Sequence, residues 1–299
     1  MNIQGLVTKR VNKLHTPGIL NVFQNHDVVL FTETLTNEFS ELHVENDDYF
    51  VLNRTENKPT AKCTSGGIIV HIRSMFVSSD THVFESADDI ICINISGDTF
   101  SLDTPLYIYV CYVVPENSCR QALIEMHTFY RLTDFIAELY SKHDGNNCNC
   151  VLCSDMNSRT SNCLDYVVND CINVGDVLPD DYVTDVPVIR CCEDTGNLNN
   201  YGALLLDLCK QTGLRIVNVR CCEDKQGRYT YIGPRGSSLV DYVVTSQNLI
   251  QHVGTFKVKD PNIMSDHCMV DFSLNFNIRN FDQGDECYSS NSNINSKYV

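Results

Sequence analysis

The sequence predicts an α/β (α+β) chain built as a two-sheet β-sandwich flanked by helices. Short, β-branched-rich apolar runs of strand length recur from end to end, bounded by polar or Gly/Pro residues. Runs such as VVLF (28–31) and LYIYVCYVV (106–114) show little alternation, so their sheets are expected to be covered on both faces. Few segments carry helical spacing, and many strands with a few inserted helices pack as layers.

In chain order, a first helix is expected over Gly18–Gln24, followed by strands at Val28–Phe31, Gly67–Ile72, Ile90–Ile95 and Leu106–Val114. A second helix is expected over Cys119–Ser141, with Leu123, Met126, Tyr130, Ile136 and Tyr140 near helical spacing and Ser118 as N-cap. A strand at Val151–Cys153 leads into Ser158–Asn200, a polar stretch read as a long surface excursion. The third helix, Tyr201–Thr212, carries LLLDLC and stops at Gly213, a favourable residue just past a helix end. Strands at Leu214–Val219, Leu239–Val244 and Cys268–Phe276 complete the set. No linker interrupts the pattern, so residues 1–276 are read as one domain. The segment 277–299 is poor in apolar residues and is expected to be a disordered tail. The pentapeptide RCCED occurs at 190–194 and 220–224, without the wider self-similarity of a repeat.

Composition narrows the class. Of 299 residues, 43% are hydrophobic and 20% charged, as in ordinary globular proteins. No apolar run approaches the roughly 20 residues needed to span a bilayer. The opening MNIQGLVTKRVNKLH lacks the apolar region of a signal peptide, so an intracellular setting, nuclear or cytoplasmic, is expected. Many of the 16 cysteines lie within apolar runs (Cys92, Cys111, Cys153, Cys209), and reduced thiols are expected. Cys150-Val-Leu-Cys153 has the spacing of a zinc knuckle, but no second pair follows it, and core packing is the better reading. The formal charge of −16 argues against strong nonspecific nucleic-acid binding, which relies on Lys and Arg. A local basic lip at Lys9, Arg10 and Lys13, or at Lys225, Arg228 and Arg235, would offset it.

Acidic and amide residues at the ends of apolar strands carry the chemistry. Glu33 ends VVLFTE, Asp155 and Asn157 follow CVLCS, Asp241 interrupts SLVDYVV, and Asp266-His267 precede the last strand. A carboxylate there is costly to bury unless it meets a metal, a histidine or several donors. Convergence on one oxygen-rich spot would suit Mg²⁺ or Mn²⁺. Taken singly each signal is bland: Glu33 reads as a surface charge, Asp155-x-Asn157 as an Asx turn, and His267 as a structural histidine.

The ordered combination resembles the endonuclease/exonuclease/phosphatase superfamily. The likeness runs through Asn2-Ile-Gln-Gly-Leu6, Thr32-Glu33-Thr34, Tyr112-Val-Val-Pro115, Ser154-Asp155-Met156-Asn157, Thr230, Ser238-Leu-Val-Asp241-Tyr242 and Ser265-Asp266-His267. Within it, Asn199–Asn218, Gly227-Arg-Tyr-Thr230 and Arg235–Tyr242 are similar to the endonuclease domains of non-LTR retrotransposons. The resemblance implies a four-layer DNase I-like fold and a Mg²⁺- or Mn²⁺-dependent endonuclease that nicks DNA. It implies that Asn2, Glu33 and Asp266 hold the metal and that Asp155 positions or deprotonates the attacking water. Asn157 and Tyr112 would contact the phosphate, and Asp241 would orient His267, which donates to a phosphate oxygen. Arg10, Thr230 and Ser238 are further candidates for substrate contact. No reverse-transcriptase-like segment lies within these residues, and no membrane or obligate protein partner is implied.

Other readings of the same motifs are a phosphoinositide phosphatase, a sphingomyelinase, an RNA deadenylase, or an inactive interaction module that kept the fold. GSSLVDYV lacks the Cys-Asp-Arg pattern of inositol phosphatases, and every core residue of the motif set is present, which disfavours an inactive module.

Overall fold

The computed structural model describes residues 1–7, 11–36, 49–53, 66–77, 81–86, 90–116, 118, 126–143, 148–168, 190–234, 236–276 and 294–298. In chain order the helices are α1 (Pro17–Asn25), α2 (Gly97–Phe100), α3 (Thr128–Lys142), α4 (Asn200–Thr212) and α5 (Gln247–Ile250). The strands are β1 (Val28–Thr32), β2 (Tyr49–Asn53), β3 (Ile68–Ile72), β4 (His82–Ser86), β5 (Ile90–Ile95), β6 (Leu106–Tyr112) and β7 (Asn149–Asp155). They continue as β8 (Arg215–Ile216), β9 (Tyr231–Gly233), β10 (Gly236–Ser238), β11 (Asp241–Thr245), β12 (Val253–Val258), β13 (Val270–Phe276) and β14 (Ile294–Tyr298).

Two six-stranded sheets form, in the orders β12-β13-β14-β1-β3-β2 and β4-β5-β6-β7-β11-β8, and β9-β10 stand apart as a hairpin. Strand periodicity explains the layers. Val28 and Leu30 of β1 face the second sheet, in a core with Ile93, Ile108, Val110 and Val243. Val29 and Phe31, pointing the other way, pack under α1 with Ile19 and Val22. The far face of the second sheet (Tyr109, Cys111, Leu152, Val244) is covered by Phe129, Leu132 and Ile136 of α3 and Leu205, Leu208 and Cys209 of α4. Helix, sheet, sheet and helix thus make four layers, the arrangement expected for strands apolar on both faces.

Several expectations need correction in detail. The helix expected from Cys119 begins at Thr128, capped by the His127 side chain rather than by Ser118. Its buried stripe is Phe129, Leu132, Ile136 and Leu139, whereas Met126 and Tyr130 are exposed. Leu123 and most of the expected first turns lie outside the described residues. The strand expected over Leu214–Val219 shrinks to two residues. Beyond it the Asn218 side chain replaces the ladder, donating to the Asp241 carbonyl and accepting from Val243 N–H. Of the expected tail, residues 277–293 lie outside the described residues, while Ile294–Tyr298 pairs antiparallel with β13 and, at Val28↔Tyr298, parallel with β1. No disulfide joins any described cysteine. Among the described residues no helix is long and apolar enough to cross a membrane.

One buried ionic cluster pins the second sheet's edge to the loop that follows β7. Asp165 accepts two 2.7 Å hydrogen bonds from the Arg220 guanidinium and one of 2.9 Å from the Ile216 N–H, and Arg190 lies 3.9 Å away.

Candidate active site

Register brings the site together. In the second sheet Tyr112 of β6 lies level with Asp155 of β7, and Asp155 lies level with Asp241 of β11. At the matching end of the first sheet, Glu33 follows β1, and Asn2 forms a parallel bridge with Thr32. Strand ends from both sheets therefore meet at one end of the sandwich. Glu33 and Asn157 hold positive φ angles of 51° and 47°, a cost that functional sites commonly carry.

The connections among these residues are direct. Asn2 Nδ2 donates to Asp155 Oδ2 at 2.9 Å, and Asn2 Oδ1 accepts from the Gln4 N–H. Tyr112 donates its hydroxyl proton to Glu33 Oε1. Asp155 Oδ1 accepts from the Asn157 N–H, while Asn157 Nδ2 donates to the Val113 carbonyl. His267 Nδ1 lies 2.9 Å from Asp241 Oδ2, and its Nε2 lies 3.9 Å from Asp155 Oδ2. The Tyr231 ring stands edge-on to the imidazole with centroids 5.2 Å apart.

Electrostatics follow from burial. Burial pushes Asp155 up to about 7; Asp241 and Glu33 add to the rise, and His267 and the Asn2 hydrogen bond oppose it. Burial alone would lower His267, but the charges of Asp241 and Asp155 and the Asp241 hydrogen bond outweigh it and lift the ring to about 9. The pair is poised as a carboxyl group titrating near neutrality beside an imidazolium with one free N–H.

Ligand atoms of Asp155, Asp241 and His267 lie within 4.8 Å of one another. Within that trio His267 Nδ1 is already hydrogen-bonded to Asp241. Further oxygen donors adjoin it: Asn2 is hydrogen-bonded to Asp155, and Asp266 precedes His267 in the chain. Asp266 Oδ1 is buried with no hydrogen-bond partner, and Glu33 and Asn2 offer further oxygens. The orphaned carboxylate oxygen of Asp266 and the buried acidic and histidine trio are chemically suited to a divalent cation.

The substrate candidates fare differently. Thr230, expected to touch substrate, is fully buried: its Oγ1 accepts from the N–H groups of both Val240 and Asp241, and its carbonyl accepts from Cys268 N–H. It holds the Asp241 strand against the His267 segment. Ser238 is half-buried at the end of β10, and Arg10 lies outside the described residues. Reasoning from sequence gave no role to Ser265, whose hydroxyl donates to the Asn2 carbonyl at 2.7 Å and accepts from His267 N–H. Its place in Ser265-Asp266-His267 was the available signal. Lys13 was likewise missed as a clamp; its Nζ donates to the carbonyls of Ile3 and Met264.

No family model and no curated protein sequence matches the chain. Solved structures do. The AP endonuclease LMAP from Leishmania major superposes with a TM-score of 0.61 at 15% identity, covering 91% of this chain and 85% of that one. The 3′-5′ exonuclease NExo from Neisseria meningitidis gives 0.57 at 17%, covering 91% and 97%. The endonuclease domain of TRAS1, a telomere-specific non-LTR retrotransposon, gives 0.49 at 11%, covering 86% and 90%, too slight an overlap to carry an argument. Layer order, sheet topology and these superpositions agree: the chain has the four-layer DNase I-like fold of the LMAP and NExo structures.

Proposed function

We propose that this chain is a divalent-metal-dependent phosphodiesterase that nicks DNA. The observation that carries the reading is the buried Asp241–His267–Asp155 row at one end of the sandwich, with His267 hydrogen-bonded to Asp241 and 3.9 Å from Asp155. A phosphodiester repels anionic nucleophiles, and attack must come in line with the leaving oxygen. Asp155, pushed toward neutrality, is suited to take a proton from water within hydrogen-bond reach. His267 directs Nε2–H toward the phosphate, and Asp241 fixes that tautomer. Tyr112 holds the Glu33 carboxylate in place, and Asn157 turns the chain after Asp155 toward the pit. A Mg²⁺ or Mn²⁺ held by Asn2, Glu33 and Asp266 would neutralise phosphate oxygens and stabilise the leaving alkoxide.

DNA as substrate is supported by what the fold's relatives are called, an AP endonuclease and a 3′-5′ exonuclease. The likeness of Asn199–Asn218 and Arg235–Tyr242 to retrotransposon endonucleases supports a narrower role, the opening of target DNA by a mobile element or a host-adopted derivative of one. The test is incubation of supercoiled plasmid with pure protein, with Mg²⁺, with Mn²⁺ and with a chelator. Conversion to open circles only with metal, abolished by Asp155→Ala and Glu33→Ala, is the expected result. Intact plasmid alongside hydrolysis of phosphoinositides or sphingomyelin would sink the DNA reading.

A further inference from the structure

Ile263 is wholly solvent-exposed, at 105% of its reference area. Single exposed aliphatic residues are ordinary on protein surfaces. What sets this one apart is that everything around it is fixed and that it stands beside the site. The turn is closed by a bridge between Asn262 and Ser265 and by a 2.8 Å bond from Met264 N–H to Asn262 Oδ1. Met264 points inward, its carbonyl held by Lys13 and its sulfur by the Thr16 hydroxyl. Ser265 is tied to Asn2, and Asp266 and His267 follow at once. At the base of the loop, Arg228 pairs with Asp260 at 2.9 Å, and Lys259 pairs with Asp271. An apolar tip is thus displayed on a braced turn, four residues before His267.

Two more aliphatic side chains stand near site residues, one on the loop after β1 and one on β9. Leu35 is 38% exposed, two residues after Glu33. Ile232 is 41% exposed, and its N–H donates to the Asp266 carbonyl. A lipid hydrolase needs a broad apolar face to enter a membrane, and single aliphatic side chains set apart around the candidate site do not make one. With a net charge of −16, and with Lys13, Arg228 and Lys259 committed to partners inside the protein, contacts to the uncharged part of the substrate have more to do.

The geometry points to Ile263 as a wedge that enters the base stack of DNA next to the scissile phosphodiester, so that cutting favours steps that unstack easily. This rests on the DNA-nicking reading. Aliphatic wedges open base steps at the cost of stacking, least at pyrimidine–purine steps and mismatches.

The test uses the full chain carrying Asp155→Asn, titrated into a duplex with 2-aminopurine at a central TA step, whose fluorescence rises on unstacking. Brightening is expected, with most of it lost on adding Ile263→Ala and retained with Ile263→Leu. In the active protein, Ile263→Ala should raise KM on continuous duplex by about tenfold, the loss of one apolar contact, and by less on a mismatched duplex. Equal brightening with alanine, or Ile263→Asp cleaving duplex as the wild type does, overturns the wedge and leaves the nicking reading standing. Brightening that depends on Ile263 in a protein whose wild type cuts no DNA would uphold the wedge while removing the nicking reading.

Discussion

His267 and Thr230 show how single side chains set this site. Burial works against a charged imidazole, and Asp241 with Asp155 reverses the sign. Because the folded pKa is raised to about 9, the proton is kept through neutrality and lost only as pH climbs through that value. Asp241→Asn should therefore lower the rate by about 10⁴-fold, as loss of a histidine-orienting carboxylate does elsewhere. It should also bring the alkaline limb of the pH–rate profile down toward the ordinary histidine value. An unmoved limb would reduce Asp241 to a structural residue. Thr230 acts one step back from the chemistry. Thr230→Val keeps the shape but leaves the Val240 and Asp241 N–H groups without their acceptor. At about 1–3 kcal/mol per orphaned buried donor, urea unfolding should show a clear loss, with the rate falling too. Thr230→Ser should restore both; a valine variant as stable as the wild type would refute the assignment.

At the scale of elements, the strands that carry the site were legible and several that frame it were not. VVLFTE and SLVDYVV announce β1 and β11 because each is apolar on both faces and broken by one acid. β12, with Val253, Thr255 and Lys257 half-buried or exposed, has too weak an apolar signal to stand out. β9 and β10 are three residues each and pair with one another, apart from a single bridge from Tyr231 to His267. The start of α3 was misplaced because Met126 and Tyr130 fit helical spacing yet face solvent. In the site, each carboxylate was visible as a polar break in an apolar run. The bracing roles of Thr230, read as a substrate contact, and of Ser265, given no role, were not, since a small hydroxyl serving backbone groups has no spacing of its own. The Asp165 cluster belongs to this scale also, because it ties β8 to the loop after β7. Burial alone would raise Asp165, but the paired Arg220 guanidinium and Arg190 outweigh it and hold it below the ordinary range. Its contribution is complete above the unfolded value near 3.9 and disappears as pH falls through the lower folded value. Asp165→Ala leaves arginines buried around a missing charge and should cost about 3–5 kcal/mol in chemical unfolding at pH 7. A loss under about 1 kcal/mol would show that the cluster relaxes into water.

For the whole molecule, the charge of −16 sets the terms of any encounter with a polyanion. Each phosphate neutralised by the protein adds about 0.9 to the slope of log affinity against log salt. With that net charge, and with Arg73, Arg159, Arg190, Arg220, Arg228 and Lys259 paired to the chain's own acids, it should bind duplex DNA with a slope no steeper than about −3. Anisotropy titrations from low to physiological salt would measure it, and a slope near −6 would reveal a basic track.

The two sheets interleave distant parts of the chain, and the site draws on residues from Asn2 to His267. β6 and β7 are parallel neighbours that α3 separates along the chain, and Asn2 meets Asp155 across 153 positions. Non-local pairing of this kind makes folding slow, because loops must close before contacts reward them. No fragment of the chain holds the candidate site, since Asp155, its amide partner Asn2 and the Asp241–His267 pair come from the middle, the beginning and the end. On the proposed reading, a nascent chain emerging from the ribosome stays chemically silent until its final third has docked.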